Sequence, residues 1–100
     1  MIQQRRGQAG SLESCDALVI VELSDEKKGL ILELDSPSLL SYEKNMKSAV
    51  IETLSSVGVT DALVKIQDRG SLDCTLRARV ETAARRALAS QKNGERGEMR

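Results

Sequence analysis

Two stretches of the chain have the dense apolar pattern of β-strands. Residues Ala17–Leu23 are almost continuously apolar and β-branched at their centre, which is typical of a strand covered on both faces. In residues 30–34, leucines alternate with Ile31 and Glu33, which indicates a strand with one buried face. Because only the charged segment 24–28 separates these runs, we expect them to pair as a β-hairpin.

Two later segments repeat apolar residues every three or four positions, which is the period of an amphipathic helix. Ser36-Pro37 predicts the start of the first helix and Gly58 its end, because serine caps helix N-termini, proline fits the first turn and glycine ends helices. The second helix begins close to Ser71 and Asp73. The first apolar face consists of Leu39, Tyr42, Met46, Ala49, Val50, Thr53, Leu54 and Val57. The second consists of Leu72, Leu76, Val80, Ala83, Ala84, Ala87 and Leu88.

Residues 62–67 predict a third strand, so the elements follow the order ββαβα. A crossover through the first helix would place the third strand parallel to the second, and we place it beside the first. The predicted fold class is α+β: a two-layer sandwich with a three-stranded sheet, in the order 2-1-3, and two helices packed on one face. The predicted core is Val19, Val21, Leu30, Leu32, Met46, Val50, Leu54, Val64, Ile66, Leu76, Val80 and Ala84.

Both ends of the chain are polar and contain glycine. We therefore expect a mobile N-terminal segment over residues 1–10 and a disordered polar tail over residues 90–100. Residues 11–89 would form the single domain. An apolar content of 40% with only one aromatic side chain allows one modest, aliphatic core.

Charge and composition exclude several classes of function. Fifteen basic and fifteen acidic residues balance, so we expect neither nucleic acid nor an anionic membrane as a partner. No apolar run approaches the roughly 20 residues that span a bilayer, and the first residues lack a secretory leader, which predicts a cytoplasmic protein. The chain has no histidine, and Cys15 and Cys74 are not spaced as ligands. We therefore predict no metal site, two free thiols and no Ser-His or Cys-His catalysis.

Two motifs in the sequence resemble those of a known family. Ala9 to Asp16 reads AGSLESCD, and Asp68 to Glu81 reads DRGSLDCTLRARVE. These segments resemble the AG(T/S)LES(x)D and D(x)GALDC(x)L(x)AR(L/V)E patterns of the acyl carrier, or gamma, subunit of citrate lyase. The resemblance runs from about Ala9 to Leu88. Cys15 departs from it, because a small residue such as glycine is expected there.

The resemblance implies that Ser14 is joined through a phosphodiester to 2'-(5''-phosphoribosyl)-3'-dephospho-CoA. The thiol of this covalent arm would hold an acetyl group, which the alpha subunit of citrate lyase exchanges for a citryl group. The beta subunit would then cleave the citryl thioester to oxaloacetate and regenerate the acetyl thioester. The family resemblance therefore implies a carrier without a catalytic residue, in a hetero-oligomer with the alpha and beta subunits.

The chemistry of Ser14 is compatible with this role. A serine hydroxyl without a neighbouring base is a poor nucleophile, so a separate prosthetic-group transferase would be needed to modify it. We expect Ser14 to be exposed in a loop before the first strand, with Glu13 and Asp16 keeping that loop hydrated. By itself, the position also fits an ordinary turn serine. Of the other motif serines, Ser11 lies in the mobile segment and Ser71 is expected to cap the second helix.

Three alternatives remain open from the sequence. The arginines of the second helix, which are Arg77, Arg79, Arg85 and Arg86, form either a solvated face or a binding surface for phosphates or carboxylates. The chain as a whole could be the acyl carrier subunit of malonate decarboxylase, which uses the same type of prosthetic group. It could also be an unmodified α+β interaction module.

Overall fold

The chain forms one mixed β-sheet with two helices packed on one face. The computed structural model describes residues 5–36 and 39–97. The strands are β1 (Arg6–Gly10), β2 (Ala17–Leu23), β3 (Leu30–Asp35) and β4 (Ala62–Asp68). The helices are α1 (Leu39–Ser56), between β3 and β4, and α2 (Asp73–Gly97), after β4. The predicted α+β class is confirmed, but the sheet has four strands rather than three.

The strand order is β1-β2-β4-β3, with β4 antiparallel to β2 and parallel to β3. The predictions that β4 runs parallel to β3 and lies beside β2 are therefore confirmed. The predicted hairpin between β2 and β3, and with it the order 2-1-3, is wrong because β4 lies between them. β2 and β4 each have one face that is almost fully buried, whereas β3 has no fully buried residue, which suits the two inner positions of the sheet for β2 and β4.

Asp61 holds the connection that crosses the end of β4. The Ser24 N–H donates to the Asp61 carbonyl at 3.1 Å, and the Gly29 N–H donates to the Asp61 carboxylate at 2.9 Å. The Ala62 N–H donates to the Gly29 carbonyl at 3.2 Å. Segment 24–28 resembled a hairpin turn because it is short and charged. In the structure it passes over the end of β4 and connects β2 to β3, which lies on the far side of β4.

Strand β1 lies in the segment predicted to be mobile, of which residues 1–4 are outside the described part. Its inward positions are occupied by Gly7 and Ala9, which are too small to produce a visible hydrophobic alternation. The backbone of α2 lies directly against this strand. A Cβ atom added at Gly7 would be 2.1 Å from the Ala83 carbonyl oxygen and 2.3 Å from the Ala87 nitrogen. The small size of Gly7 and Ala9 therefore explains both why the sequence does not predict β1 and why α2 can pack so closely against it.

The end of α1 was predicted correctly at Gly58. The Gly58 N–H donates to the Ser55 carbonyl at 3.1 Å, and the Val59 N–H donates to the Leu54 carbonyl at 2.9 Å. With Gly58 at a φ of 83°, this is the Schellman arrangement that closes a helix. The predicted start at Pro37 lies outside the described residues.

Most of the predicted core is buried. The exceptions are Leu30 and Leu32, which are partly buried because β3 is an edge strand. Leu72 was assigned to the apolar face of α2, but it precedes the helix and is 70% exposed. Helix α2 continues to Gly97, so helical backbone extends into the predicted tail. Neither helix, in the part of the chain that is described, is long and apolar enough to cross a membrane.

We predict that Leu54→Ala lowers the free energy of unfolding by about 2–5 kcal/mol, because Leu54 is fully buried between the helices and the sheet. Ile51→Ala is the matched control on the same helix, since Ile51 is 45% exposed, and it should cost less than about 1 kcal/mol. Urea denaturation of both variants measures the difference. Equal losses for the two variants would contradict the assigned face of α1.

We predict that Gly7→Ala destabilises the domain by about 1–3 kcal/mol, because the added methyl group meets the backbone of α2 rather than a flexible side chain. Gln8→Ala, at the exposed neighbouring position, should change the stability by no more than about 0.5 kcal/mol. Thermal unfolding of the pair tests whether β1 packs as described. A Gly7→Ala protein that melts like the parent would show that it does not.

Candidate functional site

Ser14 lies at the tip of a tight turn between β1 and β2. The turn spans Glu13 to Asp16 and is closed by the Asp16 N–H, which donates to the Glu13 carbonyl at 3.1 Å. Ser14 is its second residue and Cys15, with a φ of 66°, its third, which is the geometry of a type II turn. Glycine is favoured at that third position, which explains why a small residue was expected at Cys15. A side chain in this conformation costs roughly 1–2 kcal/mol.

The turn is anchored to the end of β4 through backbone hydrogen bonds. The Cys15 N–H donates to the Arg69 carbonyl at 2.7 Å, and the Arg69 N–H donates to the Asp16 carbonyl at 2.9 Å. Two residues of the turn thus face the single residue Arg69, as in a β-bulge. Ser14 is therefore presented on a rigid support formed by the sheet.

The three serines of the motifs differ in what their hydroxyl groups bind. Ser11 Oγ donates to Asp16 Oδ2 at 2.7 Å, and Ser71 Oγ donates to Asp68 Oδ1. Ser71 therefore gives its hydroxyl to Asp68, while α2 begins two residues later. Ser14 is exposed, as expected, and among the described residues its hydroxyl makes no hydrogen bond. Of the three, Ser14 has the hydroxyl that is available for reaction.

Asp16 is a structural residue of this loop rather than a hydrated carboxylate, which corrects the expectation from the sequence. Its Oδ1 accepts hydrogen bonds from Arg79 Nε at 2.9 Å and from the Ala17 N–H at 2.7 Å. The hydrogen bond from Arg79, followed by those from Ser11 and Ala17, lowers the pKa of Asp16 to about 2. The ion pair joins the two sequence motifs across 63 positions, and Arg79 was among the arginines selected from the sequence.

The other three arginines that were selected from the sequence also have partners within the chain. Arg77 contacts Asp73 at 2.7 Å and Glu52 at 3.0 Å, and Arg85 contacts Glu81 at 2.9 Å. The guanidinium of Arg86 donates to the Gln8 carbonyl at 2.8 Å and so links α2 to β1. Of the four, Arg79 is the one that contacts the Ser14 loop through Asp16.

Asp68 organises the segment that supports the turn, and sequence reasoning missed this role. It is buried at the end of β4 and accepts hydrogen bonds from Ser36 Oγ at 2.8 Å and from the N–H groups of Gly70 at 3.2 Å and Ser71 at 3.0 Å. Burial by itself would raise the pKa of Asp68, but the hydrogen bonds from Ser71, Ser36 and Gly70 outweigh it and lower the pKa. Its position as the first residue of the second motif was the feature of the sequence that could have indicated this role.

Comparisons with known proteins show the family of this chain. Residues 4–87 match the family model described as ACP, malonate decarboxylase delta subunit (MdcD). The citrate lyase acyl carrier protein of Rhodopseudomonas palustris is 41% identical over 80 residues, which is 80% of each chain. The chain belongs to the citrate lyase acyl carrier protein family.

Two other relatives in this family have slightly higher identities. The citrate lyase acyl carrier protein 2 of Salmonella typhimurium is 44% identical over 79% of this chain and 80% of its own. The citrate lyase acyl carrier protein of Vibrio cholerae is 43% identical over 83% of this chain and 84% of its own. Residues 4–87, which the family model matches, include all four strands, helix α1, the first part of α2 and both motifs.

We predict a pH dependence for the Ser14 loop. The pKa of Asp16 is about 2 in the folded chain, against an ordinary value of 3.8. Because the folded pKa is the lower one, the carboxylate stabilises the loop fully above pH 3.8, and this contribution is lost as the pH falls through about 2. Carbon-detected NMR titration of the Asp16 carboxyl measures the midpoint. A midpoint close to 3.8 would show that the contacts with Arg79 and Ser11 do not form in solution.

Proposed function

We propose that this chain is the acyl carrier subunit of citrate lyase and that its prosthetic arm is attached to Ser14. The observation that supports Ser14 is the contrast among the motif serines: its hydroxyl is exposed and unbonded within the described structure, whereas those of Ser11 and Ser71 are bound to carboxylates. A transferase needs access to a free hydroxyl. The membership in this family, established above, supplies the carrier role.

The residues around Ser14 fit a phosphodiester-linked group such as 2'-(5''-phosphoribosyl)-3'-dephospho-CoA. Arg79 compensates the charge of Asp16, so of the two carboxylates flanking Ser14 only Glu13 remains uncompensated among the described contacts. An anionic phosphate at Ser14 therefore meets less repulsion than two uncompensated carboxylates would produce. When bound, the arm supplies a thiol that carries an acetyl or citryl group as a thioester.

In this proposal the chain presents the thioester and catalyses no step itself. Acyl exchange and citryl cleavage belong to the alpha and beta subunits, and attachment of the arm belongs to the transferase. The rigid support under Ser14 fixes the root of the arm, and tethering raises the local concentration of the thioester at each partner. The exposed tip of a type II turn leaves the arm free to reach both.

Malonate decarboxylase is the second candidate, because the matching family model is described by a subunit of that enzyme. The curated relatives named above favour citrate lyase. Reconstitution separates the two. We expect the modified chain to restore citrate cleavage when mixed with citrate lyase alpha and beta subunits. If the modified chain instead restored only malonate decarboxylation, when mixed with the other subunits of malonate decarboxylase, it would belong to that enzyme.

We predict that Ser14→Ala remains folded but loses the covalent adduct and the ability to restore activity, because the exposed hydroxyl is the attachment atom. Ser11→Ala and Ser71→Ala are the matched controls and should keep the adduct. Intact-mass measurement of protein coexpressed with the transferase checks the modification, and peptide mapping checks its position. An adduct of unchanged mass on the Ser14→Ala protein would refute the site, and the absence of any adduct on the parent would favour an unmodified interaction module.

A further inference from the structure

A groove of about 590 Å³ lies between α1 and the start of α2. Met46 and Leu76 contribute buried apolar surface to it, and Leu72 adds a side chain that is 70% exposed. Asn45 and Ser48 line it with polar groups. Its charged lining residues are Asp68, Asp73 and Arg77, of which the last two form an ion pair at 2.7 Å. Its volume and mixed lining are those of small-molecule sites, which combine apolar walls with a few polar groups.

The groove and the Ser14 turn share a support. The segment after β4 provides Gly70 and Ser71 to the groove, while Arg69, immediately before them, is hydrogen bonded to Cys15 at 2.7 Å and to Asp16 at 2.9 Å. Asp68 holds this segment through its bonds to Gly70 and Ser71. The root of the arm and the groove are therefore fixed relative to each other.

We infer that this groove binds the pantetheine end of the arm and shelters its acyl thioester between visits to the partner subunits. The inference rests on the proposed attachment at Ser14. Pantetheine has an apolar carbon skeleton with two amides and a hydroxyl, which suits apolar walls with Asn45 and Ser48 beside them. Exclusion of water from a thioester slows its hydrolysis, so a sheltered arm loses fewer acyl groups.

The expected strength of binding is modest. A short tether gives the arm an effective concentration in the millimolar range, so a groove affinity of about 1 mM keeps the arm bound for about half of the time. Alkylation of the arm thiol should then be about twofold slower than alkylation of free pantetheine. This occupancy still permits frequent release to a partner.

The test uses modified protein in which the arm thiol is the only thiol. Cys15 and Cys74, both exposed, are replaced by Cys15→Gly, which suits the positive φ, and Cys74→Ser. Intact mass first confirms one adduct per chain. The rate of alkylation by iodoacetamide, an uncharged reagent, is then compared with that of free pantetheine.

Two groove variants and one control identify the place of shelter. Leu72→Gln removes an apolar wall without adding charge, and Ser48→Trp fills the groove from an exposed helix position; both should raise the rate to that of free pantetheine. Leu12→Gln changes the comparably exposed leucine of the first motif and should leave the rate low. Circular dichroism verifies that each variant is folded. One variant removes an apolar side chain and the other fills the groove. If one of them does not fold, the alkylation rate of the other still tests the proposal.

Each outcome decides a separate question. An adduct whose thiol reacts as fast as free pantetheine overturns the groove and leaves the carrier function standing. Slow alkylation that persists in both groove variants, or that Leu12→Gln relieves equally, places the shelter elsewhere and also overturns it. The absence of an adduct on the parent refutes the proposed function itself, and the groove proposal fails with it.

Discussion

The hydrogen bonds to the buried carboxylate of Asp68 hold the segment that supports the Ser14 turn. The carboxylate accepts hydrogen bonds from Ser36 after β3 and from Gly70 and Ser71 before α2. An ionised carboxylate inside a protein is costly unless its oxygens are satisfied, and here four donors satisfy them. These bonds fix the segment after β4, which in turn contacts the Ser14 turn.

The Ser14 turn is held from two sides. Its backbone pairs with Arg69, the residue after Asp68, and Arg79 of α2 holds the turn from the other side through Asp16. The turn is therefore restrained by β4 and α2 together, although its tip remains open to solvent. In the proposed carrier role, this combination would hold the attachment point in a defined position and leave the Ser14 hydroxyl accessible to a transferase.

The close contact between β1 and α2 is a second constraint. Gly7 lets the helix backbone approach the strand, and Arg86 donates to the Gln8 carbonyl across the same contact. Because α2 carries Arg79, the position of the helix on β1 also sets the position of the guanidinium that holds Asp16. The first motif is thus connected to the second twice, once through backbone pairing and once through this ion pair.

The sequence by itself determined the α+β class, both inner strands, the end of α1, most of the core and the two family motifs, because each depends on local periodicity, local turn chemistry or contiguous residues. Tertiary structure alone decided that β4 separates β2 from β3, since this pairing joins segments that are far apart in the sequence. It also revealed β1, whose inward residues are too small to produce a hydrophobic signal. Tertiary structure also revealed the roles of Asp16 and Asp68. Sequence alone predicts that a carboxylate is hydrated, and only the fold brings hydrogen-bond donors from distant segments to these two.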